Sequence, residues 1–198
     1  MKIGSVLLMV LLAAFYVIGC GSSPNITEFV TNDQQENSTN DSRNLGETLN
    51  LSGQVNEFTG NREVKALGIT GSITDGYFNI FSIGTPDDDY LEDIEEAFFH
   101  ILWESAGTNF SDTSARAVCL YLSIGSGASI ALATPDFKTS VFHFYVDRDV
   151  IISRESMGEV NAYNLHLNKG WNAILRENFN TFTLANRDDL LWSISQDM

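Results

Sequence analysis

The sequence predicts a mainly β domain, an antiparallel β-sandwich or small barrel with one accessory helix. Three observations lead there. From residue 49 onward apolar side chains alternate with a period of two, glycine and asparagine turns cut the alternation into short runs, and one segment alone shows helical spacing.

Strands are expected in order at Leu49–Val55, Val64–Ile73 and Tyr77–Ile83. The helix follows. In PDDDYLEDIEEAFFHILWE, Leu91, Ile94, Phe98, Ile101 and Leu102 recur at helical intervals, and Asp89 with Glu92 makes an Asp-x-x-Glu start behind Pro86. Acids crowd the first turns, where the helix dipole favours them, so the helix is expected over about residues 89–104.

AVCLYLSIG puts Val118, Leu120, Leu122 and Ile124 on one side and Ala117, Cys119 and Tyr121 on the other, which predicts a central strand covered on both faces. The glycines of Ser123-Ile124-Gly125-Ser126-Gly127 read as a hairpin turn leading to a strand at Ser129–Ala133. VFHFYVDRDVII, residues 141–152, reads as one half-buried strand with Phe142, Phe144 and Val146 inward and His143 and Tyr145 on the other face. AYNLHLNKGWNAIL reads as a hairpin turning at Asn168-Lys169-Gly170, and short strands follow at Thr181–Ala185 and Leu190–Ile194.

What precedes residue 49 is of another kind. Lys2 is followed by an unbroken apolar run, VLLMVLLAAFYVI, from Val6 to Ile18. A membrane-spanning helix needs about 20 such residues. A basic start with a shorter apolar core has the form of a secretory signal peptide, here residues 1–19. Residues 20–48, rich in Asn, Ser, Thr, Asp and Gln, bury too little apolar surface to offset chain entropy and read as a flexible tether. Residues 49–198 form the β-rich domain.

Val17-Ile18-Gly19-Cys20 resembles the lipobox of bacterial lipoproteins. In that family a small residue admits the peptidase, and the thiol of the following cysteine takes a diacylglyceryl group. The resemblance implies lipidation at Cys20 rather than a disulfide with Cys119, the one other cysteine. Several acyl chains anchor a protein stably where a single chain does not. Cys119 would then be the lone thiol of an exported protein, and it is expected to be buried. Five Asn-x-Ser/Thr triplets, at Asn25, Asn37, Asn40, Asn50 and Asn109, also fit a glycosylated secreted protein. Four of them fall in Asn- and Ser-rich sequence where composition alone produces them.

The formal net charge is −15, and loss of residues 1–19 takes it to −16 because they carry Lys2 and no acid. Phosphate backbones and anionic headgroups repel such a chain, so nucleic acid is disfavoured as a partner and membrane contact falls to the acyl anchor.

Motifs for chemistry are sparse. Asp87, Asp88 and Asp89 are consecutive, whereas an EF-hand alternates its oxygen ligands around a glycine, so a helix start is expected there and no metal. Asp147-Arg148-Asp149 reads as a turn or strand-end charge cluster. His100, His143 and His166 show no zinc spacing, and no P-loop, Gly-rich dinucleotide turn or Gly-x-Ser-x-Gly elbow occurs. No cofactor is expected.

Aromatic residues on β-like segments, Tyr145, Tyr163, Trp171 and Trp192, are the binding candidates, with Tyr145 and Trp171 foremost. Ser52-Gly53-Gln54-Val55 and Asp75-Gly76-Tyr77-Phe78 resemble transthyretin-like surface modules. The stretches 145–150 and 167–172 are similar to β-rich lipoproteins of spirochaete type. Neither resemblance implies an activity. The expectation is a membrane-anchored envelope lipoprotein acting as a non-catalytic binding or structural module for a protein or glycan ligand. The alternative is an exported hydrolase assembled from dispersed carboxylates.

Overall fold

In the computed structural model, which describes residues 44–102, 107–125, 127–156, 161–178, 181–183 and 190–196, the protein is mainly β with a single helix among those residues. The expected signal peptide, Cys20 and most of the expected tether lie outside the described residues. The chain is first described at β1 (Asn44–Gly46), inside the stretch read as tether, where it pairs with a strand late in the sequence.

The next four strands are β2 (Leu49–Gln54), β3 (Arg62–Ala66), β4 (Ile69–Thr74) and β5 (Tyr77–Ile83). β3, β4 and β5 run as an antiparallel meander, and β2 lies along the far side of β5. The segment Val64–Ile73, expected as one strand, is therefore corrected to two. Leu67 and Gly68 both take positive φ, +47° and +75°, and Asp75 and Gly76 repeat this at the next turn with +49° and +79°. Two consecutive left-handed residues match the twist of a tight hairpin. Asp-Gly announces such a turn, but Leu-Gly does not, because a leucine rarely takes positive φ.

The helical segment is also corrected. Asp88–Tyr90 is a 3-10 turn, Glu92–Asp93 forms a short strand, β6, and α1 (Ile94–Leu102) begins at Ile94, while positions 103 and 104 of the expected helix lie outside the described residues. The Asp89–Glu92 pair is not a cap. Arg116 holds the stretch out of the helix: its Nη2 donates to the carbonyls of Asp88 and Leu91, and β6 pairs with Ala117 and Arg116. The amide of Ile94, first in α1, donates to the Ala115 carbonyl at 3.1 Å. At the other end the Arg176 guanidinium donates to the Ile101 carbonyl (3.1 Å) and the Tyr121 hydroxyl to that of His100 (3.3 Å). A cation there complements the helix dipole.

The remaining strands are β7 (Thr108–Phe110), β8 (Arg116–Cys119), β9 (Leu122–Ser123), β10 (Ala128–Ala133), β11 (Thr139–Val146), β12 (Val150–Arg154), β13 (Tyr163–Leu167), β14 (Gly170–Glu177), β15 (Thr181–Thr183) and β16 (Leu191–Gln196). The expected central strand at AVCLYLSIG divides into β8 and β9. They wedge between β10 and β11, β8 pairing with β11 and β9 with β10.

Two larger corrections concern residues 139–177. Val141–Ile152 is not one strand, because it breaks at Asp147–Asp149. Tyr163–Leu175 is not a hairpin folded on itself. Residues 139–154 instead pair with 163–177 as a single bent ribbon, with Thr139 opposite Glu177, Val146 opposite Gly170, Val150 opposite Leu167 and Arg154 opposite Tyr163. Three residues, 147–149, face two, 168–169, at the bend. Such a mismatch works as a bulge and turns the ribbon from the large sheet into a small one.

The large sheet runs β1-β14-β11-β10-β9-β3-β4-β5-β2, with β16 along β10, and curls into a half-barrel. Its edges approach where Val55 bridges Trp192 and the Asn56 amide donates to the Trp192 carbonyl at 2.7 Å. The small sheet is β13-β12-β7. Two cores result. One fills the half-barrel with Leu51, Val64, Ile73, Phe78, Ile80, Tyr145, Trp171 and Trp192. The other, with Phe98, Cys119, Phe144, Ile152, Leu165 and Ile174, lies between the large sheet, the small sheet and α1. Alternation along β11 sends Phe144 and Val146 to the second core and Tyr145 to the first, so this strand is buried on both faces rather than half-buried.

Candidate functional site

Period-two alternation correctly separates the faces of β11 and β14 but does not say what covers them. Tyr145 and Trp171, expected as surface binding residues, are 2% and 0% exposed. Their rings meet edge to face at 5.5 Å, and the Trp171 indole N–H donates to the Gly84 carbonyl at 3.1 Å. The partnered N–H removes the desolvation cost of burial. Tyr163 and Trp192 are buried too. All four are core residues and present no ring to a ligand at the surface.

The acidic candidates are at the surface. Asp87, Asp88 and Asp89 are exposed around the 3-10 turn, and among the described residues no three His, Cys, Asp or Glu side chains converge as for a metal. Asp147-Arg148-Asp149 lies at the strand end between β11 and β12, one of the two placements expected, and it organises the bend of the ribbon. Asp147 accepts from the Arg116 amide (3.0 Å) and from Arg148, while Asp149 accepts from the Lys169 amide (2.8 Å). Arg148 also reaches Asp112, 3.6 Å away. The Arg148 guanidinium holds the Asp147 carboxyl below its usual range, and hydrogen bonds from Ser114 do so for Asp112. These carboxylates are kept ionised as turn caps.

The histidines separate. His143 lies 4% exposed, stacked on Trp192 with centroids 6.2 Å apart, and burial lowers its pKa to about 4. His100 sits on the outer side of α1, 3.3 Å from Glu92 and edge-on to Tyr121. His166 meets the Asn164 amide at 3.2 Å. Cys119 is buried as expected, and desolvation pushes its thiol up to about 12, far from a reactive thiolate.

The exposed aromatics are ones that alternation did not single out: Tyr77, Tyr90, Phe99 and Tyr121. Tyr121 is half exposed because the chain between β8 and β9 leaves the ladder there. Its hydroxyl is pinned to the His100 carbonyl, so the ring has a fixed pose. It lines a shallow hollow of about 400 Å³ with Lys65, the Leu67-Gly68 turn and Thr70. Tyr90 approaches the other side of that turn: a Cβ at Gly68 would stand 2.7 Å from its hydroxyl. A second hollow, about 550 Å³, lies along α1 between Asp93, Glu95, Glu96, Phe99 and Thr113. The signal for Tyr121 was available in sequence only as the residue that would break the apolar pattern of its face.

No family model, no curated protein and no solved structure matches the chain, so its functional reading rests on these residues.

Proposed function

We propose that the protein is a lipoprotein of the bacterial cell envelope, anchored through Cys20, whose β-rich domain serves as a non-catalytic binding or structural module. The observation that carries this reading is Val17-Ile18-Gly19-Cys20 at the end of the apolar run Val6–Ile18. Among the described residues no helix is long and apolar enough to cross a membrane; in this reading the acyl chains on Cys20 anchor the protein. The formal charge of −16 on the processed chain disfavours contact with nucleic acid and anionic headgroups. Ligand contact, with protein or glycan, falls to the exposed rings of Tyr121, held by its bond to the His100 carbonyl, and Tyr90, in place of the buried Tyr145 and Trp171.

The test is acylation. Expressed in a bacterial host with labelled palmitate, the wild-type chain is expected to take up label and partition into detergent. Cys20→Ser removes the thiol that attacks the lipid donor, and it is expected to carry no label and to accumulate uncleaved. An unlabelled, soluble wild-type product would overturn the proposal.

A further inference from the structure

The small sheet carries one polar rung in an apolar interior. Arg154 on β12 stands directly opposite Tyr163 on β13 and Thr108 on β7. Along β12 the side chains of Val150, Ile152 and Arg154 point inward, alternating with the exposed Ile151, and along β13 those of Tyr163, Leu165 and Leu167 do the same. Thr108, Arg154 and Tyr163 therefore share the inner face, next to Phe98 and Phe182, whose rings lie 6.3 and 5.3 Å from that of Tyr163. Arg154 is 5% exposed and Tyr163 is 6% exposed, while Thr108 is half-buried and brings the rung to solvent.

The hydroxyls of Thr108 and Tyr163 bond each other at 2.8 Å. Arg154 Nε and Nη1 are buried and meet no hydrogen-bond acceptor among the described residues. This is a costly arrangement. A guanidinium remains charged at any ordinary pH, so it cannot escape burial by losing its proton. An apolar interior tolerates a charge only when that charge is paired and its donors are used. Arg154 also interacts with the Tyr163 hydroxyl, but this contact leaves Nε and Nη1 unused.

We infer that Thr108, Arg154 and Tyr163 form a binding site for the carboxylate of a small monoanionic ligand. Its oxygens would accept from the two free guanidinium N–H groups, and the hydroxyl pair would hold its position. One guanidinium balances one negative charge. A phosphate dianion would leave a second, unpaired charge in the same apolar surroundings, so the site favours carboxylate over phosphate. The inference does not depend on the lipid anchor and stands or falls separately from it.

The experiment titrates full-length protein in detergent with sodium acetate, holding ionic strength constant with sodium chloride, and reads the thermal midpoint. Wild type is expected to gain a saturable upward shift, on the order of 3 °C at ten times the dissociation constant. Arg154→Leu should lose that shift, and phosphate should not reproduce it. Because Arg154→Leu can fail to fold, Thr108→Val supplies the second variant. It keeps the shape, removes one hydroxyl and is expected to need several-fold more acetate for the same shift. A wild-type midpoint that does not respond to acetate beyond chloride overturns the site, as it would if another part of the chain already neutralised Arg154. An acetate response retained unchanged in the variants, or an equal response to phosphate, overturns it as well.

Discussion

Trp192 and Gly53 are in contact such that no other residue fits at position 53. A Cβ there would stand inside the Trp192 ring's contact distance, 2.5 Å from Nε1. The same nitrogen donates to the Ser52 carbonyl at 3.1 Å, and the ring packs edge-on against Phe78 at 4.9 Å. This indole is what joins the last strand to the first edge of the half-barrel. Gly53→Ala is therefore expected to destabilise the domain by about 1–3 kcal/mol, the usual cost of overpacking. Trp192→Phe in the same background should relieve the clash and recover part of the loss. Chemical denaturation of the two single variants and the double variant checks the coupling.

His143 makes stability depend on pH in a definite window. Its folded pKa is about 4, below the ordinary 6.5, because burial disfavours the charged ring. The unfolded chain thus takes up the proton first as pH falls. Stability contributed by the neutral ring is complete above pH 6.5 and declines progressively towards pH 4, by about 3 kcal/mol in all. His143→Phe keeps a ring against Trp192 without titrating, and its denaturation midpoint should be flatter over that window. The lowered carboxyls of Asp112, Asp136 and Asp147 act below it, where their protonation removes turn hydrogen bonds.

The strands of this protein were more legible than their partners. Tyr77–Ile83 and the strands near Leu49, Ser129 and Leu190 follow from alternation, which is a local property of the pleat. Partner choice is not local. Nothing within Tyr163–Leu175 shows that its halves belong to different sheets, because Asn168-Lys169-Gly170 carries the same turn residues whether the chain folds back or bends on. The fates of Tyr145 and Trp171 were hidden for the same reason. Alternation puts Tyr145 opposite Phe144, and only the curl of the large sheet reveals that both sides are covered. The site residues Thr108, Arg154 and Tyr163 are distant in sequence and meet only through the register of the small sheet.

Cys119 should behave as an inert thiol. It is 5% exposed, in the layer between the large sheet and α1, and burial raises its pKa to about 12. A thiol reagent acts on the thiolate, so labelling at pH 8 is expected to wait for unfolding and to reach completion only in denaturant. Rapid labelling of folded protein would show that the α1 layer opens readily. Cys119→Ala should cost little next to Phe98→Ala, which empties the centre of the second core and is expected to cost about 3–5 kcal/mol.

Asn172 is the residue on which the bend of the ribbon most depends. It is fully buried, and its amide is used in full: Nδ2 donates to the carbonyls of Asn168 and Gly170, both at 2.9 Å, while Oδ1 accepts from the Asn168 amide at 3.2 Å. These bonds close the two-residue side of the bend, where Gly170 takes φ +106° with Gly46 close above it. Asn172→Ala leaves two carbonyls and one amide without that partner, and the cost of such groups suggests a loss of about 2–4 kcal/mol. Asn172→Asp is the sharper test. It keeps the size and the acceptor but replaces the donor with an oxygen that faces two carbonyls, and buries a charge near pH 7. It should therefore destabilise more than alanine at neutral pH and regain stability as the pH falls and the carboxyl takes a proton. Equal denaturation midpoints for the two variants across that range would show that the bend is held by its packing and not by this amide.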